Sequence, residues 1–486
     1  MPRKLVLVHG YSSSGQAFFP LRDALASRGV QLTDINICSY VSLNNEITVK
    51  DIAEGLERAF RNHPDLKNTP DFEFDAIVHS TGMLVMRSWL TNNGVRASAN
   101  SRVKRVKHLI GLAPATWGSP QAHKGRTWLG ALVKGDKDFL GPDFLNAGDR
   151  VLENLELGSS FTWDLAHLDL LGKEPFYDKG TGTPFVSVFI GNEPYSGLAK
   201  VANEPGTDGT VRWAGCGLNT RKVRIDLTRS PTDPDGNPVP FKDGIATRRA
   251  WITKFAVERL DIPMIPVDAR NHGTIVQNPE PEMVGLVVDF LKVGDPGQET
   301  FDDWLERAKR YGERGKAKML AGPDPSFFGR MFGVQDGIEG WQQFVVHARD
   351  ERGDPITDYM IEVVQEGKIF DPMYTDVHAY GPDSSFRCFH IHLPKGISSP
   401  ALKLRARIHA STGTELVAYQ GYNIEEKKLT ANSEPIELDL NLGDQESLFQ
   451  PFTTTLIEIV LSREPLPFDD VARILTWVKG NAKEGG

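Results

Sequence analysis

The sequence predicts two domains of different fold class: an α/β domain with a doubly wound, mostly parallel sheet, and a smaller all-β sandwich after it. Three observations lead to this prediction. The chain has 486 residues, which is too long for one ordinary core. Residues 1–295 alternate short apolar runs with helical patterns, which is typical of βαβ units. After about Trp341, short alternating strands recur between turn residues, as in a β-sandwich.

The elements of the first domain follow from these patterns in chain order. Its predicted strands are Lys4–Val8, Gln31–Ile37, Phe74–Val78, Val106–Leu112, Phe185–Ile190, Arg221–Asp226 and Ile262–Asp268. Its predicted helices are Ala17–Arg28, Thr48–Asn62, Gly82–Asn92 and Met283–Leu291. Residues 118–178 form a long insertion without a clear strand, in which an amphipathic pattern between Phe144 and Leu157 predicts a helix.

The remaining chain divides into a linker and the second domain. Residues 296–338 are predicted to be a helical linker, with a charged helix at Glu299–Lys318 before a Gly-Pro-Asp-Pro segment. Residues 339–486 are predicted to form the β-sandwich, ending in a helix at Phe468–Val478.

Composition excludes several classes of function. A formal net charge of -9 leaves no excess of Lys and Arg to neutralise phosphates, so we expect no nucleic-acid partner. The three cysteines are far apart and no Cys/His spacing suggests zinc, so reduced structural thiols are expected. The N-terminal apolar run, Leu5 to Val8, is too short for a secretory signal, which favours a cytoplasmic protein or export by a signal-independent route.

The motif with the clearest chemical meaning lies between the third predicted strand and the helix after it. Val78-His79-Ser80-Thr81-Gly82 matches G-x-S-x-G, the tight strand-to-helix turn that presents a nucleophilic serine, except that Val78 replaces the first glycine. The alternative is a serine that only caps the helix. A serine hydroxyl needs a base to take its proton and a third group to orient that base.

Candidates for those companions follow other predicted strands. Asp208 lies in the turn Gly206-Thr207-Asp208-Gly209-Thr210, and His272 follows the last strand, which places Ser, Asp and His in the expected order. The alternative for Asp208 is a structural Asx turn. Tyr11, in the loop after the first strand, and Thr81, after the serine, are placed to donate backbone N–H groups to an oxyanion.

These motifs together carry a resemblance to a known family. Residues 3–291 resemble the α/β-hydrolase superfamily, in its bacterial lipase, esterase and phospholipase-like branch, through LVLVHGY, IVHSTGM, LAPATWGSP, GTDGTV and NHGTI. The resemblance implies Ser80 as nucleophile, Asp208 as acid and His272 as base, with an oxyanion hole at Tyr11 and Thr81. It implies no cofactor. A calcium site found in some lipases of this branch is not expected, because no acidic residue closely follows His272.

The expected activity is therefore hydrolysis of a small-molecule or lipid ester by a serine hydrolase. Two alternatives stay open: thioester or amide cleavage by the same triad, and an idle scaffold that binds lipid or protein. The insertion 118–178 could form a lid, a pocket wall or packed core. The β-sandwich could contact lipid surfaces, bind a partner or stabilise the first domain. The sequence leaves the oligomeric state open.

Other candidate residues receive less weight. Asp243 and Asp268 are alternative acids, although Asp268 is too close to His272 along the strand. His79 is expected to pack beside the serine without a catalytic part. His390 and His392 share one strand face at a spacing compatible with a metal, but no third ligand is evident, so surface or packing histidines are expected.

Overall fold

A computed structural model of the chain shows a central sheet of six parallel strands in the order β2-β1-β3-β4-β5-β8. These strands are β1 Lys4–Val8, β2 Ile35–Cys38, β3 Phe74–His79, β4 Val106–Leu112, β5 Phe185–Gly191 and β8 Met264–Val267. The residues described are 3–11, 13–64, 73–91, 102–123, 148–172, 176–177, 179–180, 182–197, 203–228, 251–255, 262–320, 339–370, 373–393, 404–414, 416–419, 422–423, 428–429, 436–440 and 448–465.

Helices cover both faces of this sheet, as its apolar strands require. One face packs against α2 Val49–Asn62, α3 Gly82–Thr91, α5 Asp149–Leu155 and α6 Ser160–Asp169. The other face packs against α1 Phe19–Ser27, α8 Pro281–Phe290 and α9 Phe301–Leu320. Two short helices, α4 Pro120–His123 and α7 Thr274–Gln277, follow β4 and β8. Helix α2 begins with a capping box between Thr48 and Asp51, which supplies orphan backbone donors with acceptors.

The predicted strands and helices of the parallel sheet are confirmed with small shifts at their ends. The largest shift is in the second strand, because Leu32–Asp34 forms a 3-10 turn before β2 begins at Ile35. The first predicted helix starts as a 3-10 turn at Gly15–Phe18. The helix predicted at Gly82–Asn92 is α3, whose described part ends at Thr91. The C-terminal helix predicted at 468–478 and the linker segment 321–338 lie outside the described residues.

A second six-stranded sheet and a four-stranded sheet form the β-sandwich. The six-stranded sheet has the order β12-β13-β9-β19-β6-β7, and the four-stranded sheet has the order β11-β10-β14-β18. Their strands are β6 Thr220–Asp226, β7 Trp251–Phe255, β9 Gly340–Asp350, β10 Tyr359–Gln365, β11 Lys368–Ile369, β12 Tyr374–Ala379, β13 Phe386–Leu393, β14 Leu404–Ala410, β18 Ile436–Asp439 and β19 Thr454–Leu461. Two small pairs complete the described strands: β15 Val417–Tyr419 with β20 Arg463–Pro465, and β16 Tyr422–Asn423 with β17 Lys428–Leu429.

One strand lies in a different sheet from the one predicted. The sequence predicts Arg221–Asp226 as a strand of the first domain, but the observed β6 pairs with β19 of the sandwich, and β7 pairs with β6. The reason is visible in the residues, since Val223 and Ile225 alternate with Lys222 and Arg224. A central strand of a parallel sheet is buried on both faces and is apolar throughout, whereas an alternating strand suits a sheet with two different faces.

The six-stranded sheet of the sandwich joins the two halves of the protein. Phe344 and Ile457 on one face belong to the core between the two sandwich sheets. Val345 and Leu456 on the other face belong to the core that contains α3, α5 and α6. Because side chains alternate between the faces of a strand, one sheet contributes to both cores.

Candidate active site

Ser80 occupies a strained turn between β3 and α3 at the carboxyl edge of the parallel sheet. Its φ angle is +54°, a region that a residue with a Cβ adopts only when surrounding structure imposes it. Two glycines make the turn fit. A Cβ on Gly82 would lie 2.6 Å from the Val8 carbonyl oxygen, and a Cβ on Gly10 would lie 2.6 Å from the Ser80 Cβ. Both positions therefore require glycine.

Val78, which departs from the glycine of the motif, is accommodated by the neighbouring strand. Val78 is fully buried and pairs with Gly111 of β4. A Cβ on Gly111 would lie 2.8 Å from the Met83 methyl carbon at the start of α3. The small residue that gives α3 room over the sheet is thus on β4 instead of β3.

The structure brings Ser80, Asp208 and His272 together in one hydrogen-bonded chain. His272 Nε2 lies 3.0 Å from Ser80 Oγ, and His272 Nδ1 lies 3.0 Å from Asp208 Oδ2. Asp208 is fully buried, and its Oδ1 accepts hydrogen bonds from the backbone N–H groups of Thr210 and Val211 at 3.0 and 2.8 Å. Because the carboxylate oxygen Asp208 Oδ2 accepts this hydrogen bond, Nδ1 of His272 carries the proton. In this tautomer the lone pair of Nε2 faces Ser80 Oγ.

The loop that carries Asp208 is fastened to the segment after β4. Thr116 Oγ1 donates to the Cys216 carbonyl at 2.6 Å, and Ser119 Oγ donates to the Thr210 carbonyl at 2.7 Å. The same segment meets the serine turn, where the Ala115 N–H donates to the Ser80 carbonyl at 3.0 Å. Residues 113–119 therefore hold Ser80 and the Asp208 loop in fixed positions relative to each other.

The sandwich supports the Asp208 loop from its other side. Gly206 has a φ of +72°, and a Cβ there would lie 2.5 Å from the Trp341 ring. Trp341 stacks on His390 with ring centroids 4.6 Å apart. Arg212, four residues after Asp208, is buried and forms an ion pair with Asp376 of β12. The β domain is thus part of the scaffold of the site, in line with one of the three roles that the sequence left open for it, although no sequence pattern indicated these contacts.

Two further histidines, His79 and His9, lie beside the site. His79 Nε2 donates to the His272 carbonyl at 2.9 Å, and its ring lies 4.8 Å from the His272 ring. Burial, together with the neighbouring His272, lowers the pKa of His79 to about 3. Burial also lowers the pKa of His9, whose Nδ1 donates to the Gly10 carbonyl at 2.6 Å while Nε2 accepts from the Tyr40 N–H at 3.1 Å.

Both histidines hold parts of the site in place, a role that the sequence analysis assigned to neither of them. His79 holds the backbone of His272, and His9 fixes the start of the loop that contains Tyr11. The sequence contained one signal for this role, since His79 directly precedes Ser80 and His9 directly precedes Gly10. Thr81 lies between Ser80 and the first residue of α3 and is fully buried, and Tyr11 follows Gly10, where a Cβ would contact Ser80.

The other candidate residues have structural partners. Asp268 Oδ1 accepts from Asn192 Nδ2 at 3.0 Å and pairs with Lys318 Nζ at 2.8 Å, so this carboxylate is directed to α9. Asp243 lies outside the described residues. His390 is packed on Trp341, and His392 Nε2 donates to the Leu320 carbonyl at 2.8 Å. In the described ranges, no cluster of three or more His, Cys, Asp or Glu side chains suits a metal ion.

Residues 148–172 of the insertion contribute to the packed core. Val151, Leu152 and Leu155 of α5 are buried with α2 and α3. Glu156 ties this part to the β domain, because its Oε1 accepts from His378 Nε2 at 2.8 Å and from the Gly381 N–H at 2.9 Å. Residues 124–147, 173–175 and 178 of the insertion, which was predicted as a possible lid, lie outside the described residues. Among the helices that the structure describes, none combines the length and apolar character needed to span a bilayer.

Comparisons with known proteins establish the fold. No protein-family model matches the chain, and no curated protein matches its sequence. Among solved structures, phospholipase PlaB from Legionella pneumophila in complex with thio-NAD is 19% identical, with a TM-score of 0.72 over 100% of this chain and 97% of its own. A second PlaB structure, also 19% identical, has a TM-score of 0.72 over 98% of this chain and 97% of its own.

A more distant match is the mature lipase BlEst2 from Bacillus licheniformis, which is 15% identical. Its TM-score is 0.34, over 59% of this chain and 92% of its own. The full-length similarity to PlaB, together with the parallel sheet, confirms the predicted fold class: an α/β-hydrolase fold followed by a β domain.

Proposed function

We propose that this protein is a serine ester hydrolase of the lipase or phospholipase type, with Ser80, Asp208 and His272 as its catalytic triad. The observation that carries the proposal is the position of His272 between the other two residues. Its Nε2 lies 3.0 Å from Ser80 Oγ, and its Nδ1 lies 3.0 Å from Asp208 Oδ2. The strained φ of Ser80 adds support, because a serine that only capped a helix would need no such backbone conformation.

The first half of the reaction forms an acyl-enzyme. His272 Nε2 takes the proton of Ser80 Oγ as the oxygen attacks the ester carbonyl carbon. Asp208 accepts the Nδ1–H, holds the imidazole in the required tautomer and stabilises its positive form. When the tetrahedral intermediate collapses, the C–O bond to the alcohol breaks and the alcohol leaves with the proton from Nε2.

The second half regenerates the enzyme by the same route. Nε2 takes a proton from water, the hydroxide attacks the acyl carbonyl, and the second collapse releases the carboxylic acid and returns the proton to Ser80 Oγ. In both tetrahedral intermediates, the backbone N–H groups of Tyr11 and Thr81 donate to the oxyanion. Gly10 supports this role of Tyr11, because its close approach to Ser80 brings the loop next to the reacting oxygen.

Glycerophospholipids are the first natural substrates to test. PlaB, which shares both domains with this chain, is named a phospholipase. Triacylglycerols and acyl thioesters present the same carbonyl chemistry to the triad, so they belong in the same substrate series.

The decisive assay is hydrolysis of p-nitrophenyl esters from acetyl to palmitoyl by the wild type, Ser80→Ala and Asp208→Asn. We expect Ser80→Ala to lose turnover and Asp208→Asn to lose roughly 10⁴-fold in kcat, since the amide favours the wrong imidazole tautomer. Circular dichroism checks that each variant is folded. Asp268→Asn is the matched control, because that carboxylate pairs with Lys318 and we expect its variant to keep full activity.

Labelling by a fluorophosphonate probe separates this proposal from the idle-scaffold alternative. An active Ser80 reacts with the probe in the wild type but not in Ser80→Ala. A folded wild-type protein that neither labels nor cleaves any ester in the series refutes the proposal.

A further inference from the structure

The β-sandwich encloses a cavity of about 400 Å³ between its two sheets. Both sheets contribute apolar walls: Phe344, Phe389 and Ile457 from the six-stranded sheet, and Ile361, Ala406 and Ile408 from the four-stranded sheet. Protein cores are normally packed without voids larger than a water molecule. This cavity has the size of a ligand site instead.

Water is a poor occupant of such a space. A buried water needs two to four polar partners, and the lining residues with polar side chains are Glu362 and Thr375. Glu362 also lies 4.0 Å from Arg407 and 3.6 Å from His409, so it has partners of its own. An apolar ligand would bury the walls without leaving a polar group unsatisfied.

The cavity opens to solvent through an apolar mouth. Ile369 of β11 lines the cavity and is 60% exposed. On β12, Thr375 lines the cavity, and Val377, two residues further on the same strand face, is 47% exposed. Exposed aliphatic side chains around an opening allow a hydrocarbon chain to enter while its polar end stays in water.

This cavity is separate from the candidate active site. Its walls on β9 and β19 include Phe344 and Ile457, whereas the neighbouring Val345 and Leu456 face the core of the α/β domain. The six-stranded sheet therefore lies between the cavity and Ser80. A ligand in the sandwich would not occupy the site of ester cleavage.

We propose that the sandwich binds one long acyl chain, either of a free fatty acid or of a lysophospholipid. The apolar walls, the size of the cavity and its aliphatic mouth all suit a single hydrocarbon chain. The proposal does not depend on the hydrolase activity, because it concerns the opposite side of the six-stranded sheet.

The test uses the full chain carrying Ser80→Ala, delipidated, so that binding is measured without hydrolysis. Palmitate and lysophosphatidylcholine are titrated separately by calorimetry, and the two arms distinguish the free acid from the lipid. Ala406→Phe places a ring in the cavity. Met360→Phe is the matched control, since Met360 is 48% exposed and alternates with the cavity-lining Ile361 on β10.

We expect one site for at least one ligand in the Ser80→Ala protein and in its Met360→Phe variant, and at least tenfold weaker binding in Ala406→Phe. Delipidated Ala406→Phe should melt no lower than its parent, because the ring fills empty space. If it unfolds, Val363→Phe fills the cavity from the paired position on β10. Unfolding of both, absence of binding, or undiminished binding in a filled variant would overturn the proposal.

Discussion

A buried ion pair between Arg87 and Asp169 joins the helix after Ser80 to the helical insertion. Both side chains are fully buried, and the contact is bidentate, with Nε–Oδ2 at 2.7 Å and Nη2–Oδ1 at 2.9 Å. Arg87 Nη1 also donates to the Thr116 carbonyl at 2.8 Å, and the Tyr177 hydroxyl donates to Asp169 at 2.7 Å. Every charged group in this cluster therefore has a partner.

The substitution Asp169→Asn keeps the shape of the side chain but removes its charge. The guanidinium of Arg87 then stays buried without a counter-ion, which costs about 3–5 kcal/mol of the free energy of unfolding. The cost is expected at the upper part of this range, because neither side chain has access to water that could solvate the charge. We expect α6 to detach from α3 before the rest of the chain unfolds.

Urea unfolding followed by tryptophan fluorescence measures this loss. Asp164→Asn is the matched control, since Asp164 is exposed on the same helix, and its change should stay within about 0.5 kcal/mol. The double variant Arg87→Met/Asp169→Leu should lose at least about 2 kcal/mol less than the sum of Arg87→Met and Asp169→Leu alone. Additive losses, or a loss below about 1 kcal/mol for Asp169→Asn, would refute the reasoning.

Two further predictions, one on Gly10 with Gly55 as its control and one on His79, test the site and its surroundings. Gly10→Ala should lower kcat/KM for a p-nitrophenyl ester by about 10² or more, because the new Cβ would lie 2.6 Å from the Ser80 Cβ and displace the loop. Gly55→Ala, in an open position on α2, should instead leave activity unchanged and stabilise by about 0.5–1 kcal/mol; equal activity in both variants would contradict this. For His79, the folded pKa of about 3 lies below the unfolded value near 6.5, so the unfolded state binds the extra proton as the pH falls. From pH 7 to 5 this lowers the free energy of unfolding by roughly 2 kcal/mol, and urea midpoints should show a smaller fall in His79→Gln; an unchanged fall would show that other groups cause it.

Local sequence patterns were sufficient to predict the α/β fold and the three residues of the candidate triad. Strands β1 and β4 were predicted with their observed ends. In β1 the signal is the continuous apolar run Leu5 to Val8, which is typical of a strand buried on both faces, whereas β4 contains Lys107 and His108 before its apolar end. Ser80, Asp208 and His272 were found because each lies directly after a strand or in a turn of fixed order. A parallel sheet brings such positions to one edge, so their spatial proximity is a consequence of the topology.

Several features were decided by contacts between residues distant in the chain. The pairing of β6 with β19 joins residues more than two hundred positions apart, and only the alternation of Val223 and Ile225 hinted at it. Gly111 compensates for Val78 because β4 lies beside β3. The serine motif at residues 78–82 does not specify which strand lies beside it.

The fold class and the order of the candidate catalytic residues could be predicted without a structure, because both depend on periodicity and on short turns. The tertiary structure decided how the sandwich takes part in the site, where Trp341 packs on Gly206 and Asp376 pairs with Arg212. It also decided that the two sandwich sheets leave an apolar cavity. Packing of this kind depends on the relative placement of whole sheets, which no local pattern specifies.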